Sequence, residues 1–142
     1  MPGPAAAPVT APLPLEVADP RRFDPRVRAH RLAWGGMLVV QVAGAGRECV
    51  EALARRPEYA SVRLVVAVSE DVPLEDDVML LWGIFTRFDC ARDIVPAAVE
   101  VRGAWLTARG PLGIDATWKS GYPDPVASSP ETIAKVDGWW GL

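Results

Sequence analysis

Two continuous hydrophobic runs and one amphipathic segment define the first half of the chain. The runs at residues 37–42 (MLVVQV) and 62–69 (VRLVVAVS) are too apolar throughout for strands with one face in water. Between them, the segment RECVEALARR places four apolar residues on one face of a helix: Cys49, Val50, Leu53 and Ala54. Pro57 ends that helix. The pattern predicts a βαβ unit with buried parallel strands and a right-handed crossover.

A second helix is predicted at residues 78–88, where the sequence VMLLWGIFTRF is apolar around most of its circumference. Such a helix must be covered on more than one side, either by a further layer or by a second protein chain. Five carboxylates precede it: Glu70, Asp71, Glu75, Asp76 and Asp77. Acidic residues are favoured at a helix N-terminus, and no ligand motif matches their spacing. They therefore fit a helix start better than the alternative, a divalent-metal site.

The second half of the chain predicts short strands at residues 94–101 (IVPAAVEV) and 104–108 (AWLTA), with Pro96 at an edge or a bulge. The next segment, GPLGIDATWKSGYPDP at residues 110–125, contains three glycines and three prolines and is predicted to be a shaped loop. Loops of this kind form active sites or docking surfaces.

The last predicted element is a helix with Ser129 as its N-cap and Pro130 at its first position. Ile133 and Val136 give it an apolar stripe, and it ends at Trp139 and Trp140.

The chain divides into a Pro/Ala-rich and Arg-rich N-terminal segment at residues 1–33, predicted to be irregular, and an α/β domain at residues 34–142. The 142 residues suit one domain, and 50% hydrophobic content with a net charge of −3 excludes nucleic-acid binding and favours a globular protein. No apolar run has the ~18 residues of a membrane span, and the N-terminus lacks the pattern of a secretory signal. With only two cysteines, a cytoplasmic location is expected.

The chain offers few candidates for catalysis. His30 lies among arginines and is expected to be solvated or structural, Cys49 lies on a buried helical face, and Cys90 has only Arg87 and Arg92 nearby to activate it. These arginines follow a helix end, where they can bind its last carbonyls or pair with Asp89 and Asp93; anion or partner binding is the alternative.

A second chemical candidate is the turn at residues 44–49 (GAGREC), which approaches a dinucleotide-binding fingerprint, with Glu70 after the next strand. It fails at Cys49, where the fingerprint requires a third glycine. A tight turn between strand and helix is the simpler interpretation.

Two ordered segments carry a resemblance to a known family. The first is the strand and acidic turn followed by a V-x-x-x-W-x-x-x-T-R helix, formed by Val78, Trp82, Thr86 and Arg87. The second is GIDATWK at residues 113–119. With SPETIAKVDGWW they resemble the C-terminal domain of the UbiD family, the prenylated-flavin-dependent decarboxylases. The resemblance implies an α/β fold with a βαβ-containing mixed sheet and flanking helices.

The resemblance also implies a function. In that family the prenylated FMN, the divalent metal and the catalytic residues belong to the preceding regions, so this chain is expected to hold no catalytic, cofactor-binding or metal-binding residue. It is expected to be a small subunit that docks on a larger UbiD-like catalytic chain, with a homo-oligomer also possible. Seven residues are candidates for the partner interface: Trp82, Arg87, Asp115, Thr117, Lys119, Trp139 and Trp140. A self-contained nucleotide- or flavin-binding enzyme and a homo-oligomeric scaffold or regulator remain the alternatives.

Overall fold

In a computed structural model of the chain, the structure describes residues 16–122 and 128–141. These residues form a mixed five-stranded sheet in the order β1-β2-β3-β5-β4, together with three α-helices. The elements are β1 (Val27–Ala33), β2 (Met37–Val42), α1 (Gly46–Ala54), β3 (Leu64–Ser69), α2 (Asp77–Phe85), β4 (Ile94–Arg102), β5 (Trp105–Ala116) and α3 (Pro130–Trp140). The predicted α/β class with a mixed sheet and flanking helices is confirmed.

The predicted βαβ unit is present at the centre of the sheet. β2 and β3 pair in parallel from Met37 opposite Leu64 to Val42 opposite Ser69. The four apolar residues predicted for one face of α1 are all buried. Because successive strand residues point to opposite faces, α1 packs with Leu38, Val40 and Val65. α2 packs on the other face against their sequence neighbours, including Val39 and Val66.

The described part of the N-terminal segment, residues 16–33, contains a strand, so the prediction that it is irregular is wrong there. β1 pairs antiparallel with β2 along one edge of the sheet. A change of register between Val27 and Ala29 breaks its alternation of apolar and polar residues. Arg28 and Arg31 extend from this edge strand to Glu70 and Asp77, at 3.5 and 2.8 Å. An edge strand tolerates such long charged side chains because one of its sides faces solvent.

The first part of the predicted loop at residues 110–125 is also a strand, which corrects the sequence-based expectation. Residues 110–116 belong to β5, which pairs in parallel with β3 from Leu112 to Ala116. Gly113 is required by packing: a Cβ there would lie 2.9 Å from the carbonyl oxygen of Val95 and 3.3 Å from Val50. Only residues 117–122 form a described loop, and the rest of the predicted loop, residues 123–125, lies outside the described residues.

The outer part of the β4–β5 hairpin extends beyond the rest of the sheet, because β5 pairs with β3 only from Leu112 onward. We call residues 98–109 the arm. A bulge between Pro96 and Ala98 marks its base, which confirms the edge and bulge position predicted from Pro96. One face of the arm exposes three large apolar side chains: Val99, Val101 and Leu106.

The second and third helices begin as predicted from their caps. Asp76 accepts hydrogen bonds from the backbone N–H groups of Val78 and Met79, and α2 ends three residues before the predicted Phe88. Ser129 caps α3 through the N–H of Thr132, with Pro130 at its first position. No residue of α3 is buried. No described helix has the length and apolar character of a membrane span.

Candidate interaction site

A cluster of polar side chains lies at the carboxyl ends of the parallel strands β3 and β5. Asp115 is next to the last residue of β5, and Thr117 follows the strand. Both are 5% exposed. Asp115 Oδ1 accepts hydrogen bonds from the Thr117 hydroxyl at 2.6 Å and from its backbone N–H at 3.1 Å. The turn is closed by its own side chains.

Lys119, two residues after Thr117, stabilises this turn. Its Nζ donates to three backbone carbonyl oxygens, those of Asp115 at 2.8 Å, Thr117 at 2.9 Å and Arg87 at 3.3 Å. The carboxylates of Asp115 and Asp93 lie 3.5 and 3.7 Å from the same ammonium group. Since an ammonium group has three donors, these bonds use all of them. Lys119 thus joins β5 to the segment that follows α2.

Asp93 completes the cluster just before β4. Its Oδ2 accepts hydrogen bonds from the Tyr122 hydroxyl at 2.5 Å and from the Asp89 N–H at 2.8 Å. Burial raises the pKa of Asp93, but these bonds and the charge of Lys119 outweigh it, and the net pKa lies below the ordinary value. Burial and the hydrogen bond to Asp93 raise the pKa of Tyr122. The cluster is therefore a closed network around a carboxylate that stays ionised.

The first residue of α1 packs directly against this cluster. A Cβ added to Gly46 would lie 2.3 Å from Asp115 Oδ1 and 2.6 Å from Thr117 Cγ2. A phosphate bound at this helix N-terminus would meet the Asp115 carboxylate. The geometry therefore disfavours dinucleotide binding by the turn at residues 44–49.

Arg87 has a different partner from those predicted. Its guanidinium is 4% exposed and donates to both carboxylate oxygens of Asp71, at 2.8 and 2.7 Å. The hydrogen bonds from Arg87 lower the pKa of Asp71. Arg92 does contact the predicted Asp89, at 3.6 Å, and it donates to the Tyr122 hydroxyl. The Arg87–Asp71 pair connects the end of α2 to the turn that precedes it.

This ion pair predicts a pH dependence of stability. The pKa of Asp71 is lower in the folded chain, so its contribution is present above about pH 4 and is lost as the pH falls through the folded-state pKa. We expect Asp71→Asn to lower the free energy of unfolding by about 1 kcal/mol at pH 7, a value reduced for the exposure of Asp71. The difference should be smaller at pH 3 than at pH 7. Urea unfolding at both values measures it.

Glu75→Gln, in the same acidic turn, is the matched control and should have little effect at either pH. An Asp71→Asn effect of equal size at pH 7 and pH 3 would show that the ionised pair does not stabilise the fold.

Three of the other acidic residues at the start of α2 also have individual structural roles. Asp76 caps the helix, and Asp77 and Glu70 pair with arginines of β1. Within residues 16–122 and 128–141, no three His, Cys, Asp or Glu side chains are grouped so that they could hold a metal ion.

The candidate nucleophiles are also accounted for. Burial raises the pKa of the Cys49 thiol to about 12, so it is an inert core residue as predicted. His30 lies on β1, with its Nδ1 3.6 Å from the Asp19 carboxylate, and is far along the chain from the polar cluster. Cys90 is exposed.

The exposed surface of α2 is strongly apolar. Only Leu80, Gly83 and Ile84 of this helix are buried. Five large apolar side chains remain exposed: Val78, Met79, Leu81, Trp82 and Phe85. The prediction that this helix needs cover on more than one side is consistent with this surface, because the sheet covers only one side of it.

The exposed surface of α3 is apolar as well, although this helix carries only a few apolar residues. Ile133 and Val136 are at least 40% exposed, and Trp139 and Trp140 are 73% and 75% exposed. An amphipathic helix without buried residues is typical of a docking element.

The seven predicted interface residues thus fall into two groups. Arg87, Asp115, Thr117 and Lys119 lie together in or beside the polar cluster, and three of them are buried. Trp82, Trp139 and Trp140 are exposed. Sequence reasoning missed the structural role of Asp71, whose partner lies 16 residues away with no local pattern to indicate it.

The fold is similar to a domain-sized part of UbiD-class decarboxylases. The fold matches HmfF of Pelotomaculum thermopropionicum, solved with FMN, with a TM-score of 0.57 and 23% identity over 81% of this chain and 29% of that one. It also matches the vanillic acid decarboxylase of Sedimentibacter hydroxybenzoicus in its closed form, with a TM-score of 0.53 and 16% identity over 87% of this chain and 30% of that one. The UbiD-type fold expected from the sequence is confirmed.

The sequence itself is related to that of a curated decarboxylase. The chain is 36% identical over 113 residues to anhydromevalonate phosphate decarboxylase of Aeropyrum pernix, covering 68% of this chain and 25% of that protein. It spans only 19% to 25% of the length of the curated relatives it matches. No protein-family model matches the chain.

Proposed function

We propose that this chain is a non-catalytic subunit of a UbiD-type carboxy-lyase and docks on a larger chain that carries the prenylated flavin. The observation that carries the proposal is the apolar surface of α2 and α3 on a domain whose fold matches about a quarter to a third of a UbiD-class enzyme. Large exposed apolar patches mark interaction surfaces. We call the exposed side chains of Trp82, Trp139 and Trp140 the docking surface.

The flavin and the metal are assigned to the larger chain because the described residues do not fit them. The polar cluster is closed by its own hydrogen bonds, and in the described ranges every buried side-chain nitrogen and oxygen has a partner. The metal-ligating residue types are not grouped there either. Flavin binding and metal chemistry would therefore come from the partner, which would hold prenylated FMN and a divalent cation.

In this proposal the buried polar cluster does not contact the partner but holds α2, and with it Trp82, in position. Lys119 binds the backbone of Arg87, which follows α2, so the network fixes the end of the helix that carries Trp82. Arg87, Asp115 and Thr117 are then positioning residues rather than contact residues. Their burial is consistent with this role.

Reconstitution tests the proposal directly. The chain should be expressed with a UbiD-like polypeptide that lacks its own C-terminal domain and supplied with prenylated FMN and a divalent metal. We expect co-purification, and carbon dioxide release only when both chains are present. The assay should be run once with vanillic acid and once with a non-aromatic acid, because the names of the related enzymes indicate substrates of these two kinds.

Each other outcome rejects the proposal in a different way. Flavin absorbance or carbon dioxide release from this chain alone would identify a self-contained enzyme. Stable self-association with no effect on the larger chain would identify a homo-oligomeric scaffold. Full activity of the truncated larger chain alone would remove the need for a subunit.

A further inference from the structure

A cleft of about 270 Å³ lies between the C-terminal end of α1 and the base of the arm. Since α1 starts at the carboxyl ends of the strands and runs back along the sheet, this cleft lies at the opposite end of the sheet from the polar cluster. It also shares no residue with the docking surface. Its features therefore need their own explanation.

Small residues and a distortion of the sheet keep this cleft open. Its lining includes Ala54 of α1 and Ala98 of β4. The pairing passes from Pro96 opposite Leu112 to Ala98 opposite Arg109. Two residues of β5, Gly110 and Pro111, therefore lie opposite the single residue Ala97. Gly110 lies at this register jump with a φ of +73°, and a Cβ there would be 3.2 Å from the Cβ of Ala97. The bulge bends the arm, and short side chains leave the space beneath it unfilled.

Three arginines line the cleft: Arg55, Arg56 and Arg109. Arg56 is held in place by the carboxylate of Glu58, at 2.9 and 3.0 Å, and by the ring of Phe23, whose centroid is 3.9 Å away. Arg109 pairs with Glu100. The side chain of Arg55 has no hydrogen-bond or ion-pair partner in residues 16–122 and 128–141, although its backbone N–H donates to the Leu53 carbonyl oxygen. Three guanidinium groups thus face two carboxylates, which leaves an excess of positive charge.

We propose that this cleft binds a small organic carboxylate with an apolar body. The guanidinium of Arg55 has its donors free for a carboxylate, which guanidinium groups bind in a bidentate geometry. The alanines that line the cleft provide an apolar floor, and the cleft's volume of about 270 Å³ admits one small ring. A purely ionic ligand such as phosphate gains nothing from that floor. The inference does not depend on the proposed function.

An NMR titration of the full ¹⁵N-labelled chain with benzoate tests this site. We expect a dissociation constant on the order of 1 mM, with shifts concentrated at the backbone amides of Ala54, Arg55, Ala98 and Gly110. Acetate lacks the apolar body and inorganic phosphate lacks both the body and the carboxylate. Both should bind at least about tenfold more weakly.

Two variants separate the charge from the apolar floor. Arg55→Gln should weaken benzoate binding about fivefold, because it removes a charge-assisted bond at a solvent-exposed position. Ala98→Leu should abolish binding by filling the floor while all three arginines remain. Arg28→Gln on β1, which changes an exposed arginine elsewhere, is the control and should bind benzoate as the unmodified chain does.

Four results would overturn the site. The first is that benzoate causes no shifts at 20-fold the expected dissociation constant, and the second is that phosphate or acetate binds as well as benzoate. The third is that Ala98→Leu leaves benzoate binding unchanged. The fourth is that Arg28→Gln weakens benzoate binding as much as Arg55→Gln does. The second and fourth results would indicate only general attraction to positive charge. Thermal unfolding of each variant confirms that the binding data refer to folded protein.

Discussion

Replacing Trp139 and Trp140 together with alanine is expected to weaken co-purification with the larger UbiD-like chain by about 100- to 1000-fold in dissociation constant. Each indole exposes about three quarters of its surface in this chain. A tryptophan buried in an interface is commonly a hot spot worth about 2 kcal/mol or more, and every 1.4 kcal/mol corresponds to a factor of ten. Quantitative pull-down or titration calorimetry with the reconstituted chains measures the effect.

Trp105→Ala is the matched control, since Trp105 is also more than half exposed but lies on the arm, outside the docking surface. Its affinity should equal that of the unmodified chain. The stability of the double variant should also be unchanged, because neither residue is buried. Unchanged assembly of the double variant would remove α3 from the proposed interface. An equal loss with Trp105→Ala would point to nonspecific hydrophobic association.

Gly46→Ala is expected to lower the free energy of unfolding by about 3 kcal/mol and the melting temperature by about 10 °C. The new methyl group would lie within 3 Å of three atoms of Asp115 and Thr117. These are buried groups whose mutual hydrogen bonds would have to lengthen or break. Both side chains are short and 5% exposed, and Lys119 holds the backbone that carries them, so they have little room to move away from the new methyl group.

Gly138→Ala provides the control within the same chain. Gly138 lies in α3, and a Cβ there would meet nothing within 4 Å. Alanine favours a helix over glycine by about 1 kcal/mol, so this change should leave the fold as stable or more stable. If Gly46→Ala lost less than about 0.5 kcal/mol relative to the unmodified chain, the close packing of α1 against the polar cluster would be refuted.

The elements predictable from the sequence are those whose local pattern agrees with their environment. β2 and β3 are buried on both faces, so their continuous apolar runs indicate strands directly. α1 has one buried face and shows the matching helical spacing. In α2 the apolar circumference predicted a helix that needs cover on more than one side, and five of its large apolar side chains are exposed in this chain.

The first strand, β1, and the second half of β5 escaped prediction because longer-range packing overrides local preference, whereas the first half of β5 was predicted at residues 104–108. The bulge after Val27 shifts the alternation of β1, and its arginines suit an edge. In β5, Gly110 and Pro111 lie at the register jump, where sheet geometry admits them, and Gly113 is needed for contact with Val95 and Val50. Residues that normally break structure here allow two elements to approach each other.

The polar cluster was predictable in composition but not in arrangement. Asp115, Thr117 and Lys119 were evident within one loop-like segment. Their partners Asp93 and Arg87 come from the segment between α2 and β4, which only the sheet order β3-β5-β4 brings to the same place. The pairing of Arg87 with Asp71 likewise depends on how α2 folds back on its preceding turn.

Because α3 has no buried residue, the surface that this helix presents and the stability of the fold can change independently of each other. Since no residue of this helix is buried, substitutions along it leave the hydrophobic cores on both faces of the sheet intact. Effects at distant, non-contacting sites are additive to a good approximation. In the proposed subunit, sequence changes along this helix would therefore alter the choice of partner chain at little cost to folding, whereas changes in the core would be limited by stability.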